Sequence, residues 1–536
     1  MSDSDQPSQG HLRNEIARRR TFAIISHPDA GKTTLTEKLL LYSGMLRTAG
    51  MVGARKGNAA SSDWMGMEQE RGISITASAM QFPYKDVIVN VLDTPGHQDF
   101  SEDTYRTLTA ADSVIMVIDA AKGVEDQTRK LFEACRIRRI PVMTFVNKFD
   151  LPTRDPLDLM AEVEEVLGIQ ASARNWPVGS GREFCGVIDR DTNIIELYTK
   201  TAAAGAARPE VEHIGMADAA AHPRIGESLA AQLHDELELL KEAGNPYTRE
   251  AYLAGEVSPV FFGSAFTNFG VEPLFDSLIK VAPCPSERKA TTSKGEDIIV
   301  EPDETKFAAF VFKLQANMNP KHRDCVAFLR VNSGVYRKEL SVKHQRSGKK
   351  FAMPSPHSLV VNERSTVVEA YPGDIIGIIS KGQFAIGDTI LEKGDYQFEP
   401  LPRFQPELFA RVRPSDLGKQ KGFQKGIAQL GAEGAVQLLY DWRNPQGEPI
   451  VAAVGRLQFE VLQYRMEDEY GVKTMVDMLP YSCSAWLEGD YETFDKPTTA
   501  RLVQDADDRP LLLFGNRWEK DYAAKNNPDH KLLDIY

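Results

Sequence analysis

A loop that contains Gly31, Lys32 and Thr33 constrains this 536-residue chain more than any other feature of its sequence. The loop follows a short apolar run, 21–25, and precedes a segment with helical spacing, 33–42. Its sequence is Ser26-His27-Pro28-Asp29-Ala30-Gly31-Lys32-Thr33-Thr34, the P-loop pattern except that Ser26 replaces the first glycine. In this pattern backbone N–H groups surround a triphosphate, the lysine binds its β- and γ-phosphates, and the Thr33 hydroxyl binds Mg²⁺. Because the loop lies at the surface, we expect Lys32→Ala to abolish nucleotide binding and to leave the fold intact.

Three further motifs each follow a short apolar run. After the run 87–92 comes Asp93-Thr94-Pro95-Gly96, where the carboxylate can hold Mg²⁺ through water and the Gly96 N–H can meet the γ-phosphate. After the run 142–146 comes Asn147-Lys148-Phe149-Asp150, and after the run 260–262 comes Gly263-Ser264-Ala265. Each motif alone is compatible with an ordinary turn. Four of them, in order and at strand ends, predict a nucleotide site.

The last two motifs predict which base is bound. Guanine presents N1–H and an N2 amine side by side, and the carboxylate of Asp150 can accept from both. Adenine lacks this pair and would leave Asp150 unsatisfied, at a cost of ~1–3 kcal/mol or more. The backbone N–H groups of Gly263, Ser264 and Ala265 can meet guanine O6. We therefore expect GTP and GDP as ligands and exclude a kinase or an ATPase.

The hydrophobic pattern changes twice along the chain. Over residues 15–281 apolar runs alternate with helical segments, which predicts an α/β P-loop GTPase domain. Residues 282–303, rich in Pro, Ser, Lys, Thr and acids, are expected to form a linker. Over 304–398 the period falls to two, which predicts an antiparallel β-barrel. Phe310, Phe312 and Leu314 are expected on one face of a strand, and Ala327, Leu329 and Val331 on one face of another.

The two ends of the chain are interpreted separately. Residues 399–536 follow the order β-α-β-β-α-β, with the last strand at 482–487, which predicts an α+β ferredoxin-like domain. Residues 1–14 begin with a polar stretch that lacks the apolar core of a signal peptide and are expected to form a disordered tail. Apolar stretches are far shorter than the ~20 residues needed to span a membrane.

Charge and cysteine usage limit the classes of partner. The formal net charge of −13 argues against a protein that coats nucleic acid. Two basic clusters, 337–350 and 403–425, are either solvated faces or local contacts to phosphates. The five cysteines are scattered, without a CxxC pair, which favours free thiols in a reducing cytoplasm.

Several stretches resemble the translational GTPases. These are residues 67–75 (MEQERGISI) and Asp93-Thr94-Pro95-Gly96 with His97 after it. The stretches 26–32, 62–65, 123–126, 314–318 and 320–323 are similar to the bacterial class-II release factors within that family. The resemblance covers residues 15–490, is most specific in the GTPase half, and implies a G domain, a β-barrel and a ferredoxin-like domain.

The resemblance also implies roles for single residues. His97 matches the histidine that orients the attacking water, and a polar cap on the Gly96 turn is the alternative. Ser74 stands where many relatives have the threonine that closes on Mg²⁺, although Thr76 is close by. Asp29 matches an aspartate that can help hold a monovalent cation near the phosphates, and an Asx turn is the alternative.

The function implied by the resemblance is a ribosome-dependent GTPase of translation termination. Such a factor promotes departure of class-I peptide chain release factors and then leaves after GTP hydrolysis. Its partners would be the ribosome and those factors, and we expect a cytoplasmic monomer. An elongation-type translocase, which carries further domains, and a nucleotide-gated assembly factor are the alternatives; a GTPase rate measured with and without ribosomes discriminates the latter.

Overall fold

The computed structural model describes residues 8–45, 76–199, 207–316, 325–354, 369–380 and 382–535. The strands of the first part are β1 (Arg19–Ser26), β2 (Ser78–Tyr84), β3 (Val87–Asp93), β4 (Ser113–Asp119), β5 (Val142–Asn147), β6 (Gln170–Ala173), β7 (Asn175–Val178), β8 (Gly186–Asp189), β9 (Ile194–Tyr198), β10 (Val211–Gly215) and β11 (Val257–Phe262). The α-helices are α1 (Gln9–Ala17), α2 (Lys32–Tyr42), α3 (Ser101–Leu108), α4 (Asp126–Ile137), α5 (Pro156–Leu167), α6 (Gly226–Ala243), α7 (Arg249–Leu253) and α8 (Val271–Val281).

Seven of these strands form the predicted α/β sheet, in the order β2-β3-β1-β4-β5-β11-β6. Only β2 is antiparallel to its neighbour. Phe22 and Ile24 pack in one buried cluster, and Ala23 and Ile25 pack in another. Both faces of the sheet are therefore covered, which explains why its central strands are continuous apolar runs. The carboxyl ends of β1, β3, β5 and β11 meet at one edge and bring the four motifs together. Strands β7 to β10 form a separate antiparallel sheet.

The N-terminal residues are ordered further than predicted. The expected disordered tail, 1–14, is wrong for residues 9–14, which belong to helix α1. Ser8 caps this helix by accepting from the His11 N–H, and Leu12 and Ile16 pack against Val335 and Tyr371. Burial against the second domain, which no local pattern reveals, stabilises this short helix.

The segment 282–303 is more than a linker. It contains β12 (Arg288–Thr292) and β13 (Asp297–Val300). Strand β12 pairs antiparallel with β13 and with Tyr396–Phe398 at the end of the second domain. The polar composition that predicts a linker is typical of an exposed two-stranded ribbon as well, and pairing with a distant strand orders it.

The second domain is a β-barrel of short antiparallel strands. They are β14 (Ala308–Ala316), β15 (Cys325–Ser333), β16 (Tyr336–Arg337), β17 (Ser341–His344), β18 (Lys350–Ala352), β19 (Glu369–Ala370), β20 (Ile375–Ser380), β21 (Thr389–Leu391) and β22 (Tyr396–Phe398). Ala327, Leu329 and Val331 share one buried cluster, as predicted. Leu314 also lies in that cluster, whereas Phe310 and Phe312 pack in another. A register shift between Val311 and Lys313 moves Leu314 to the opposite face, so its predicted grouping is wrong.

The third domain begins with a ferredoxin-like unit. Its elements are β23 (Leu408–Pro414), α9 (Gln420–Ala432), β24 (Gln437–Asp441), β25 (Ile450–Ala453), α10 (Arg456–Tyr470) and β26 (Thr474–Met478). The strand order β26-β23-β25-β24 completes the β-α-β-β-α-β arrangement. The predicted place of 482–487 as the last strand of this unit is therefore wrong, because β26 takes that place, although the segment is itself a strand, at Cys483–Glu488. Met475, Asp477 and Met478 are exposed in the edge strand β26, so it lacks an apolar run.

The sheet of the third domain continues beyond this unit. The added elements are β27 (Cys483–Glu488), β28 (Arg501–Gln504), β29 (Pro510–Phe514), α11 (Arg517–Asn526) and β30 (Lys531–Leu533). Strand β24 pairs with β28, which extends the sheet to eight strands. In the described part of the chain no helix is both long and apolar enough to cross a membrane. No two of the five cysteines form a disulfide in the described part of the chain, which agrees with the prediction.

Polar and aromatic contacts hold the domains together. The guanidinium of Arg330 in the barrel is buried and donates to Asp112 at 2.6 Å and to the carbonyl oxygen of Ala110 at 3.1 Å. Toward the third domain, the ring of Tyr105 stacks on Phe404 with centroids 4.1 Å apart. A buried arginine of this kind fixes orientation, because any other arrangement would leave its charge without a partner.

Candidate functional site

A cleft of about 540 Å³ opens at the carboxyl edge of the main sheet. Most of its lining comes from the predicted motifs: Ser26, His27, Pro28, Asp29, Gly31, Lys32, Thr33, Thr34, Gly96, His97, Asn147, Lys148 and Asp150. Leu151 and Phe266 complete the wall and were not predicted. Residues far apart in sequence therefore converge on one cavity of a size that suits a small ligand.

The first loop has the backbone of a phosphate-binding turn. Gly31 is left-handed, with φ 95°, and precedes α2. A Cβ at this position would lie 2.3 Å from Nδ2 of Asn147, so only glycine fits. Ser26 is the last residue of β1, and its hydroxyl donates to the carbonyl oxygen of His27 at 2.9 Å. An extended strand residue has no need of glycine's conformational freedom, which explains the departure from the usual pattern.

Asp29 lies at the exposed tip of this loop. Its backbone is left-handed, with φ 66°, and the Ala30 N–H donates to the carbonyl oxygen of His27 at 3.3 Å. Among the described residues no N–H donates to the Asp29 carboxylate, so the alternative Asx turn is not formed. The cation-binding role of Asp29 stays a prediction. The neighbouring His27 is linked to α4 through Nε2, which lies 3.2 Å from Oε1 of Glu125.

The buried side chain of Asn147 connects three of the four motifs. Its Nδ2 donates to the carbonyl oxygen of Ala30 in the first loop at 2.8 Å. Its Oδ1 accepts from the Lys148 N–H and from the Ala265 N–H, each at 2.8 Å. One amide thus uses both its donor and its acceptor to position the phosphate loop and the two base-recognition motifs.

The end of the cleft that is predicted to bind the base combines a carboxylate with apolar walls. One oxygen of Asp150, Oδ1, is buried and has no hydrogen-bond partner within the described structure. Leu151 and Phe266, 51% and 49% exposed, flank it. A buried acceptor without a donor, beside exposed apolar side chains, suits a planar base that carries N–H groups. An exposed Phe directly after Gly263-Ser264-Ala265 is a signal that sequence reasoning could have used.

Lys148 connects this end of the cleft to the neighbouring strand β4 through an ion pair. Its Nζ lies 2.8 Å from Oδ2 of Asp119 at the end of β4. Burial favours the neutral form of Asp119, but hydrogen bonds from Lys148 and from the Ala121 N–H outweigh it and lower the pKa of the carboxyl. The ionised pair holds the strand ends in place, and Lys148 adopts a left-handed backbone, with φ 73°.

The residues Gly263, Ser264 and Ala265 lie next to this site but do not line the cleft. Their N–H groups donate to the carbonyl oxygens of Val146 and Phe269 and to Oδ1 of Asn147, respectively. Only Ala265 donates to a side chain, and this bond is one of those by which Asn147 joins the motifs. The contact to guanine O6 stays a prediction.

The end of the cleft that is predicted to bind the triphosphate contains a buried ion pair. Nζ of Lys32 lies 2.5 Å from Oδ1 of Asp93, and both side chains are buried. Oδ2 of Asp93 has no hydrogen-bond partner in the described part of the protein. This buried carboxylate oxygen without a donor lies at the same edge as Thr33, which is in the first turn of α2. Carboxylate and hydroxyl oxygens are the hard ligands that Mg²⁺ prefers. Thr94 anchors this strand end by donating to the carbonyl oxygen of Ile24 at 2.7 Å.

The second predicted Mg²⁺ ligand is not placed by the structure. Ser74 lies outside the described residues, as do most of the family-like stretches before it. Thr76 is described and lines a separate cavity with Asp103 and Lys313, where the three domains meet. The choice between Ser74 and Thr76 therefore stays open.

His97 follows Gly96 and lines the cleft. Its Nδ1 accepts from the Asp99 N–H at 3.2 Å and lies 3.4 Å from Oδ1 of Asp99. The polar-cap alternative is therefore formed. It uses only one ring nitrogen, and Nε2 has no partner among the residues described. Capping and catalysis are compatible for this histidine.

Family models cover nearly the whole chain. Residues 17–284 match the elongation factor Tu GTP binding domain, and residues 306–393 match elongation factor G domain 2. Residues 398–524 match the C-terminal domain of the class II release factor RF3. These three matches follow the order of the three structural units.

Curated relatives are similar over almost their full length. The chain is 51% identical to peptide chain release factor 3 of Symbiobacterium thermophilum over 96% of this chain and 97% of that protein. It is 49% identical to the Nostoc punctiforme protein of the same name, covering 98% of this chain and 97% of the relative. A crystal structure of a Thermus thermophilus protein matches with a TM-score of 0.69 at 21% identity, over 91% of this chain and 72% of that one. This last likeness concerns the fold alone.

The ion pair changes what is expected of Lys32→Ala. Alanine removes the phosphate contact and leaves Asp93 buried without its counter-charge, so this variant loses GTP binding and is destabilised by up to ~3 kcal/mol. Lys32→Arg keeps a positive charge beside Asp93, but its planar guanidinium is a poor substitute for the compact ammonium group, so it should lose GTP affinity and be less destabilised than Lys32→Ala. Thermal unfolding and equilibrium GTP binding measure the two effects. Wild-type GTP affinity in Lys32→Ala would contradict the assignment of the P-loop.

Base recognition by Asp150 predicts a change of specificity. In Asp150→Asn an amide N–H faces the position where xanthine offers a carbonyl, so affinity shifts from GTP toward xanthosine triphosphate. The GTP affinity should fall by about tenfold or more, because the donors of guanine lose a charged acceptor. Equilibrium binding of both nucleotides measures the shift, with Asp158→Asn, at an exposed position of α5, as the matched control. Unchanged GTP affinity in Asp150→Asn would remove Asp150 from base recognition.

Proposed function

The chain belongs to the peptide chain release factor 3 family of translational GTPases, and on that premise we propose that it promotes dissociation of class-I release factors from the ribosome after peptide release. It is a guanine-nucleotide-dependent GTPase of translation termination. The observation that carries the finer proposal is the combination of the Asp150 cleft with a class II release factor C-terminal domain over 398–524. The same match counts against an elongation-type translocase.

The proposed reaction is transfer of the γ-phosphoryl group of GTP to water. Catalysis of this kind depends on positioning and on neutralising charge. Lys32 and the N–H groups of the first loop would hold the triphosphate, and the Gly96 N–H would meet its terminal phosphate. Thr33 and Asp93 would hold Mg²⁺, which when bound neutralises phosphate charge. Asp150 fixes the base at the other end of the cleft.

The described lining of the cleft contains no arginine. Lys32 is the lysine of this lining that lies at the predicted triphosphate end, so further positive charge on the transferred phosphoryl group is expected from outside the described lining. We infer that the ribosome supplies or orders the missing element, which makes hydrolysis conditional on binding. A monovalent cation held near Asp29 would add to the same charge balance.

The proposed cellular location follows from the proposed partners. A factor that acts on ribosomes and on class-I release factors works in the cytoplasm, and we propose that it does so as a monomer. The three domains bury their contacts within one chain, through pairs such as Arg330 with Asp112 and Tyr105 with Phe404.

The recycling role predicts faster departure of a class-I factor. A fluorescent class-I factor is bound to ribosomes after peptide release, and its dissociation rate is measured with GTP and with or without this protein. The protein should accelerate dissociation, and Lys32→Arg, which is expected to lose GTP affinity, should not. An unchanged dissociation rate under conditions where GTP is hydrolysed on ribosomes would leave a ribosomal GTPase without this role.

His97 is expected to act on the transition state and not on binding. Its ring lines the cleft beside Gly96, where the terminal phosphate would lie, and Nε2 is available there. His97→Ala should lower the ribosome-stimulated kcat by ~10²–10³, the size typical of losing one preorganised contact. Nucleotide affinity should stay the same, because uniform binding is untouched. Single-turnover hydrolysis on ribosomes measures the effect, and a normal rate would leave His97 with its capping role only.

The basic clusters differ in how far their charge is already used. In the cluster 337–350, Lys343 lies 2.9 Å from Asp395 and Arg346 lies 2.6 Å from Asp388. Lys349 and Lys350 are exposed and form no ion pair within the described structure. In the cluster 403–425, Arg403 is paired with Asp505, and Lys419 donates to the carbonyl oxygen of Gly471. Lys349 and Lys350, like the exposed Lys421 and Lys425 of the second cluster, are therefore placed to meet ribosomal phosphates.

Charge reversal tests this contact. Lys349→Glu with Lys350→Glu should weaken ribosome binding. It should also reduce the slope of log affinity against log salt concentration by roughly one unit per residue, because fewer counterions are released when fewer phosphates are contacted. GTP affinity of the free protein should not change. Lys241→Glu with Lys525→Glu makes the same change in net charge elsewhere and is the control. Unaltered affinity and salt slope in the first pair would make this cluster a solubilising surface.

A further inference from the structure

A single carboxylate joins the catalytic edge of the first domain to the third domain. Oδ2 of Asp99 accepts from the backbone N–H of Leu457 at 2.8 Å, in a buried position. Leu457 is the second residue of α10, and Gly455 caps that helix. A Cβ on Gly455 would lie 2.0 Å from Cγ of Asp99, so the close approach requires glycine. The two sides of this contact are 358 residues apart in sequence.

The helix end is built to leave one donor for Asp99. Oε1 of Gln458 accepts from the N–H groups of Val454 at 2.7 Å and Gly455 at 3.3 Å. The Leu457 N–H is thus left to the carboxylate, at the positive end of the helix dipole. Burial favours the neutral form of Asp99, but the adjacent His97 ring and the hydrogen bond from the Leu457 N–H outweigh it and lower the pKa of the carboxyl. The contact is made by a charged Asp99.

The other side of Asp99 holds His97. The Asp99 N–H donates to Nδ1 of His97 at 3.2 Å, and Oδ1 lies 3.4 Å from the same nitrogen. Apolar packing also joins this turn to the third domain, because Phe100 lies in one buried cluster with Leu457 and Val461 of α10. His97, Asp99 and Phe100 form one short turn, so a movement of α10 away from Asp99 would change the position of the His97 ring.

We propose that Asp99 is a positioning residue that couples the placement of the third domain to the catalytic histidine. Docking of the 455–457 turn fixes the Asp99 carboxylate, and Asp99 fixes the His97 ring with Nε2 left for the attacking water. A ribosome that displaces or locks the third domain thereby sets the rate of hydrolysis. The inference rests on the proposed ribosome-dependent GTPase and on the catalytic role of His97.

Leu457 allows the contact to be broken from the distant side. Leu457→Pro removes the N–H in the first turn of α10, where proline is tolerated. Leu457→Ala removes the same apolar side chain and keeps the donor, so the difference between the two variants measures the hydrogen bond. Leu457→Pro should lower the ribosome-stimulated kcat by about tenfold relative to Leu457→Ala, the size expected for one hydrogen bond to a charged group. KM for GTP and nucleotide affinity should be unchanged in both.

A double-mutant cycle separates positioning from general loss of structure. Asp99→Ala should lower the stimulated kcat by about tenfold or more in the wild-type background and have no further effect in His97→Ala, because Asp99 acts through His97. Asp99→Asn keeps an acceptor for Leu457 and should recover most of the rate. Thermal unfolding of each variant checks the fold, and Gly455→Ala, which pushes against Asp99 from α10, gives an independent disruption.

The outcomes distinguish this inference from the function on which it rests. If the wild-type rate is not stimulated by ribosomes, or His97→Ala hydrolyses normally, the proposed function fails first. If His97→Ala is impaired and Asp99→Ala is not, or if the two losses simply add, the coupling is wrong. Equal rates in Leu457→Pro and Leu457→Ala, or faster hydrolysis in Asp99→Ala, would also overturn it.

Discussion

The nucleotide site depends on one buried amide. Asn147 donates to the phosphate loop and accepts from both base-recognition segments, so the two ends of the cleft cannot move independently. Four parallel strands deliver their motifs to the same edge, but strand ends alone do not fix loops. The amide converts a set of adjacent turns into a single cavity, and the Lys32–Asp93 pair does the same on the phosphate side.

Much of this site could be predicted from the sequence because its chemistry is local. Each central strand is a continuous apolar run, and the motif that it positions follows directly. The apolar run therefore supports the assignment of the motif, and the motif supports the assignment of the strand. The predicted cleft residues of the first loop, Gly96, His97 and Asn147 to Asp150 converge as expected. Phe266 was not predicted because the role of an exposed aromatic residue becomes apparent only from the cavity that it lines.

The remaining features depend on contacts that no local pattern records. Helix α1 is stabilised by the barrel, and β26 is an edge strand with an exposed face. The register shift at Val311 and Lys313 moves Leu314 to the other face, since one extra residue inverts the alternation. The Asp99–Leu457 bond joins residues 358 positions apart, and its two ends look ordinary when they are considered separately.

We propose that rapid GTP hydrolysis at this site requires a larger assembly that completes it. The most direct measurement is the initial rate of hydrolysis by the purified protein, with and without purified ribosomes, for GTP and for ATP. The account predicts slow GTP hydrolysis by the protein alone, stimulation of about 10³ or more by ribosomes, and no stimulated hydrolysis of ATP. Equal GTP rates in the presence and absence of ribosomes, or stimulated hydrolysis of ATP, would contradict it.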